Sequence, residues 1–431
     1  MYFIVEQIDQ LEKMHVQKSC FIQVISANDN YHPQLSSVSL IYYNDFKKGY
    51  VFVIDHTEGF SLDKNQVEKF INSHEKVYLL DSKYHSYFLE LNNAIDLNYV
   101  KINRSGTHEV IDCLTNIHRV FYQNNSGDSW INKIIPISKH YERWECVMEK
   151  IPELLELETE VEIENKMTEA YKYVEQSGIR VNKDLFYDRY KVTNGSFFML
   201  NDMVYNSYNL YNLTGRPTNA FNGVNFLAVP KEESYRNCFI PRNDVLVEFD
   251  FDAYHLRLIS NLIGFNCPQE SMHQYLGKIY FDKQELTDEE YKNSKEITFK
   301  QLYGGIEKRY SNIDFFSSLN NFIDKEWKKY NKFGATILST GRVIKKKEGM
   351  NKLRLFNYIV QNLETKNNID RILDLKAYLK DKKTKLILIT YDSFLFDYST
   401  SDGKKTLSNI KSLLQKENML VKYKYGKNYS F

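Results

Sequence analysis

Asp250 closes the segment VLVEFD, where Val245, Val247 and Phe249 alternate with Leu246, Glu248 and Asp250 before a helical pattern runs on to Gly264. A carboxylate at the end of a buried strand has an apolar floor and an open front. That suits a divalent-metal ligand, and it equally suits an ordinary turn or helix cap. A second carboxylate, Asp392, lies in KLILITYDSFLFDYS, whose flanking apolar runs predict a tight hairpin with Asp392 at or near its turn. Two-metal phosphoryl transfer needs two such carboxylates to converge. Between them, TDEEYKNSKEITFKQLYGG predicts a helix that opens with a Thr287/Glu290 capping box and stops at Gly304 and Gly305. Lys292, Lys295, Phe299 and Tyr303 follow at offsets of three, four and four, and so share one face. Two ammonium groups followed by two rings could clamp phosphates and stack on a base; an amphipathic surface helix is the plainer alternative.

These segments must be positioned by a strand, a hairpin and a helix in fixed order, and in that order they resemble motifs A, B and C of the bacterial DNA polymerase I family (family A). Thr214-Gly215-Arg216 resembles the segment ahead of the palm, and Phe239-Ile240-Pro241 the lead into motif A. His273 falls where the family has a phosphate-contacting histidine. Thr340-Gly341-Arg342 resembles the strand after the fingers, and Asn357 and Gln361 resemble a minor-groove pair on one helix. The stretch LLELETEVEIENKMTEAYKYVEQSGIRVN, from Leu154, resembles the helix and turn that precede the thumb. The resemblance covers nearly everything from residue 150 onward.

The resemblance implies an α+β multidomain fold: a ribonuclease H-like exonuclease-type domain over 1–145, a reduced thumb over 146–215, palm over 216–264, fingers over 265–345 with the motif B helix at 288–303, and palm again over 346–431. It implies a template-directed DNA polymerase that adds dNTPs to a primer 3′-hydroxyl with two Mg²⁺ ions, Mn²⁺ being the alternative metal. Asp250, Asp392 and the Phe251 carbonyl would hold metal. Lys292, Lys295, His273, His255, Phe299 and Tyr303 would meet the nucleotide, and Arg216, Arg342, Arg354, Asn357, Gln361 and Tyr391 the DNA. Phenylalanine at 299 resembles the members that discriminate against dideoxynucleotides.

Departures accompany the matches. The family's glutamate that crowds the sugar 2′ position is His255 here, and the preceding glutamine is Ala253. Tyr291-Lys292 replaces Arg-Arg, a looser triphosphate grip because lysine lacks the bidentate fork. The third motif reads Tyr391-Asp392-Ser393, without the second carboxylate, and Leu353 stands at an arginine position, with Arg354 next to it. A single-subunit RNA polymerase or a sugar-tolerant polymerase therefore stays open as an alternative, as does an inactive nucleic-acid-binding relic.

A chain of 431 residues predicts two to three domains. Only 35 residues separate Gly178 from Thr214, too few for a long helical thumb, which implies low processivity unless a replisome or processivity protein holds the DNA. In the N-terminal region the first strand ends in Ile25-Ser26-Ala27-Asn28 without an Asp-x-Glu pair, and His85 stands where a metal-binding aspartate is expected. Asp29 and Glu145 are the candidate remnants, so proofreading is expected to be lost.

Lys+Arg 57 against Asp+Glu 56 excludes binding DNA by bulk charge and points to local patches. Two basic stretches qualify: Arg342 to Arg354, and the lysine-rich run from Lys404 with Tyr423, Tyr425 and Tyr429 interleaved. Cys20, Cys113, Cys146, Cys238 and Cys267 show no metal-binding spacing and read as reduced cytosolic thiols. No signal peptide or apolar span is found, so no membrane partner is expected. Abundant Tyr, Asn and Lys fit an AT-biased, phage-type source acting in the cytoplasm of an infected cell.

Overall fold

Residues 2–29, 32–106, 110–111, 132–157, 162–190, 199–220 and 224–431 are described by a computed structural model. Cys113 and positions 158–161 of the segment from Leu154 lie outside the described residues. The chain divides into two compact units, Met1–Lys172 with Val192–Ser207 and Ala220–Val224, and Tyr173–Lys191 with Tyr208–Asn219 and Asn225–Phe431. These boundaries differ from the five-part division above. The first break falls inside one helix, Glu162–Ser177.

In the first unit, strands β1 (Tyr2–Val5), β2 (Ser19–Ser26), β3 (Val38–Asn44), β4 (Gly49–Val53), β5 (Lys76–Leu79) and β6 (Ala94–Asp96) form one sheet in the order β1-β4-β3-β2-β5-β6. The β2, β3 and β4 neighbours are antiparallel, and β5 and β6 add in parallel. Near-continuous apolar runs such as CFIQVI arise because both faces are covered. Phe21, Ile25, Leu40 and Tyr42 pack with Trp144 and Val147 on one face, while Cys20, Ile22, Val24, Ile41 and Tyr43 pack with Val67 and Ile71 on the other.

The second unit is built on four antiparallel strands, β7 (Val245–Phe251), β8 (Lys385–Thr390), β9 (Ser393–Tyr398) and β10 (Val421–Gly426), in the order β8-β9-β7-β10. Helix α1 (Tyr254–Ile263) follows β7 and ends at Gly264, whose φ of +71° lies in the left-handed region that favours glycine. Helices α2 (Met272–Phe281), α3 (Asp288–Gly304), α4 (Asp314–Phe333) and α5 (Lys352–Tyr378) join α1 around a second core that includes Leu256, Ile259, Leu276, Leu302, Phe316 and Phe356. The capping box of α3 forms as its sequence predicts: the Glu290 N–H donates to Thr287 Oγ1 over 3.2 Å, and the Thr287 N–H to Glu290 Oε2 over 3.0 Å. Helix α6 (Lys404–Leu414) precedes β10. Between Gly178 and Thr214 the only helix among the described residues is Lys183–Tyr190.

Candidate active site

The floor of the site is made where β7 ends beside the β8–β9 hairpin. Asp250 pairs in register with Ser393, and the Phe251 N–H donates to the Asp392 carbonyl over 3.0 Å. The two aspartates therefore terminate adjacent strands, which lie about 4.8 Å apart in a sheet. Tyr391 takes φ +60° in the two-residue turn, a conformation that costs a non-glycine residue about 1 kcal/mol. Its neighbours hold it there. Asn368 Nδ2 donates to the Tyr391 carbonyl over 2.8 Å, and the Arg216 guanidinium sits 3.6 Å from the centre of the Tyr391 ring.

Both carboxylates open into a cavity of about 520 Å³, and both residues are exposed. Even so, surrounding protein raises the Asp250 carboxyl to about 6, with the carboxylates of Asp392 and Glu248 adding to the effect. Burial also raises Asp392, assisted by Glu364 and opposed by His255 and Lys231. Among the described residues no side-chain cation forms an ion pair with Asp250 or Asp392. A third cavity carboxylate, Asp252, is neutralised: Lys422 Nζ lies 2.6 Å from its Oδ2 and holds it below its usual range despite burial. The charge left uncompensated is thus that of the Asp250/Asp392 pair, a donor set that fits a divalent cation. No group of three or more His, Cys, Asp or Glu side chains suited to a metal occurs among the described residues.

Helices α2 and α3 supply the wall. Lys295 and Phe299 line the cavity, Phe299 being 47% exposed, and its ring lies stacked 6.3 Å from that of Tyr303. Lys292 is exposed and is not among the lining residues. Tyr291 occupies that place, with Lys295 Nζ 4.5 Å from its ring centre. Tyr291, Lys295 and Phe299 lie on one row of four-residue offsets, which runs inclined to the helix axis. His273 is buried against Phe299, and burial together with the Lys295 charge lowers it to about 4, so it presents a neutral ring at pH 7.

A buried carboxylate that sequence reasoning missed ties these parts together. Glu364 of α5 has a side chain only 1% exposed, and it accepts from His255 Nε2 over 2.7 Å and from Arg216 Nη2 over 3.2 Å. The other ring nitrogen of His255, Nδ1, is hydrogen-bonded to the Tyr303 hydroxyl, and burial keeps that phenol near 12. Glu364 lies three residues beyond Gln361, one turn along the same helix, which is the one signal that could have pointed to it. Lys231 and Lys422 were also missed; both line the cavity.

The remaining expected contacts divide. Gln361 Nε2 donates to Asn357 Oδ1 over 3.2 Å, so the pair does share a face of α5, half-buried. Arg354 is exposed, with Nε 3.2 Å from the Tyr358 hydroxyl. Arg342 corrects its expected DNA contact: it is 1% exposed, and its Nη2 donates to the Leu210 carbonyl over 3.0 Å. A guanidinium so enclosed holds the backbone together and cannot reach a phosphate.

No protein-family model matches the chain, and no curated protein matches it. Among solved structures, the chain is similar to the POL domain of Pol1 from M. smegmatis, in complex with DNA primer-template and dNTP. The likeness has a TM-score of 0.69 at 13% sequence identity and covers 100% of this chain and 99% of that one. At this identity it establishes the fold: a mixed α+β chain with the architecture of a polymerase domain.

Proposed function

We propose that the protein is a template-directed DNA polymerase that joins dNTPs to a primer 3′-hydroxyl, in the manner of family A. The observation that carries the reading is the convergence of Asp250 and Asp392 on one cavity whose wall holds Lys295, His273 and Phe299. Asp250, Asp392 and the Phe251 carbonyl would hold Mg²⁺. Bound there, the metal supplies acidification of the 3′-hydroxyl and neutralisation of triphosphate charge.

The chain's own groups do the rest. Lys295 supplies the fixed cation for the triphosphate and a proton for the departing pyrophosphate. Neutral His273 contributes a hydrogen bond without adding charge. Phe299 offers an exposed ring on which an incoming base stacks. Glu364 fixes His255 and, through it, the hydroxyl of Tyr303, so His255 stands in the cavity as a rigid group where a sugar edge would pass. Asn357 and Gln361 present amide groups to the acceptors that every correct pair offers in the minor groove. The likeness to a polymerase domain captured with primer-template and dNTP agrees with this reading.

The sheet order of the first unit, an antiparallel run of three strands extended by two parallel strands on one side and one on the other, supports the ribonuclease H-like reading of residues 1–145. His85 supports loss of proofreading. It accepts the Val24 N–H at Nε2 over 3.1 Å, and its Nδ1 lies 2.8 Å from the Asp81 carbonyl, so both ring nitrogens serve the fold. Asp29 is bonded to the Ser26 hydroxyl. The short segment between Gly178 and Thr214 supports low processivity.

Primer extension on a DNA template with Mg²⁺, offering dNTPs and rNTPs separately beside Asp392→Ala, tests the proposal. Extension with dNTPs that the substitution abolishes is expected. Faster extension with rNTPs would move the assignment to an RNA polymerase, and no extension in either lane would refute the enzymatic reading.

A further inference from the structure

A second cavity, of about 850 Å³, opens between edge strand β10 and helix α6. It shares no lining residue with the cavity of Asp250 and Asp392. Its floor includes Val247 and Phe249, the face of β7 opposite Asp250 by strand alternation. Tyr425 stands across from Val247 in register and Tyr423 across from Phe249, so the two rings rise from one face of β10, about 7 Å apart. They are 67% and 51% exposed. Across the groove, Lys404 and Lys411 lie two helical turns apart on α6, a separation of about 10 Å, with apolar Leu407 between them. Neither lysine makes an ion pair among the described residues.

Lysines on an edge strand are a usual guard against edge-to-edge pairing, and Lys422 and Lys424, alternating with the tyrosines, serve that need. The guard does not require two large exposed rings beside an apolar slot. Charge complementarity calls for an anionic occupant. An acidic peptide would satisfy the lysines, but two neighbouring π faces at the spacing of a strand suit stacked bases, which every nucleotide offers.

We infer that this groove binds a segment of single-stranded nucleic acid, with bases on Tyr423 and Tyr425 and phosphates on Lys404 and Lys411. The inference stands apart from the catalytic reading, since a chain that failed to extend a primer would still carry the groove.

Fluorescence anisotropy of a fluorescein-labelled twelve-nucleotide oligo(dT), with the full chain in EDTA, tests it. Lys404→Glu/Lys411→Glu and Tyr423→Ala/Tyr425→Ala should each weaken binding about tenfold or more, while Tyr423→Phe/Tyr425→Phe should keep it within about twofold. Lysine replacement should also make the log–log salt dependence shallower by about 1.4, the value for two released phosphate contacts. All the side chains changed lie at the surface of the groove, so unaltered thermal melting confirms that each variant folds. Unchanged affinity in both the lysine and the alanine variants would overturn the inference, as would a loss seen only with Lys295→Ala in the other cavity. Binding of dodecaglutamate at the groove in preference to oligo(dT) would overturn it too, in favour of an acidic protein segment.

Discussion

Replacing Asp250 by asparagine should stabilise the metal-free protein at neutral pH, the opposite of what loss of a structural residue does. The carboxyl is displaced from 3.8 to about 6 because it is crowded by protein and by the carboxylates of Asp392 and Glu248. Taken whole, that displacement corresponds to at most about 3 kcal/mol against the folded state once the group ionises. Asp250 is exposed on its cavity side, and solvent screening leaves about 1 kcal/mol. In the folded chain the group keeps its proton up to about pH 6, whereas unfolded it releases it near 3.8. Across that window the folded state binds more protons, so this group's favourable contribution is full below the unfolded value and is lost as pH rises through the folded one. Asp250→Asn should therefore melt roughly 1–2 °C above wild type at pH 7.5 in EDTA, with the gap closing by about pH 4. Calorimetry across that pH range reads both. Mg²⁺ should raise the wild-type melting temperature and leave the variant nearly unmoved, because binding to the folded state alone stabilises by mass action. A variant that melts at or below wild type at pH 7.5 would refute the crowding argument.

Glu364→Gln keeps the size of the side chain and removes the charge shared by His255 and Arg216. It should lower kcat/KM for dNTPs by about tenfold or more and destabilise by about 2 kcal/mol, read by single-nucleotide incorporation and by denaturant titration. Lys295→Ala should reduce incorporation about 100-fold or more at fixed primer occupancy, the scale expected for losing a transition-state donor, and an intact rate would remove Lys295 from the chemistry. Arg342→Ala should cost about 3 kcal/mol of stability while the exposed Arg354→Ala costs under about 0.5 kcal/mol, and urea titration distinguishes them. If instead Arg354→Ala is the destabilising change, the assignment of Arg342 to the interior is wrong.

The elements that place the two aspartates were legible because local rules suffice for them. Alternation over Val245–Asp250, the Thr287/Glu290 box, the stop at Gly264 and the two-residue turn holding Asp392 each depend on a few neighbours in sequence. Arg342 was not legible, since a basic run says nothing of which cation turns inward. That choice depends on the Leu210 carbonyl, a partner distant in the chain. Lys292 failed for a different reason. The cavity is lined along an inclined row of four-residue offsets, so a last step of three from Lys295 reaches Lys292, whereas Tyr291, a step of four away, is the residue that meets the cavity.

Glu364 and His255 have to be weighed together. Position 255 itself brings no carboxylate to α1. In the fold, α5 supplies the carboxylate, and His255 becomes the bridge between it and Tyr303. The same carboxylate also engages Arg216, whose guanidinium lies over Tyr391 in the strained turn before Asp392. One buried charge thus restrains both the helix bearing Lys295 and Phe299 and the hairpin bearing a floor aspartate. A buried carboxylate held by a guanidinium and an imidazole is strongly destabilising to leave unpaired. His255 and Glu364 therefore act as one unit, and neither position can be interpreted from its own residue type.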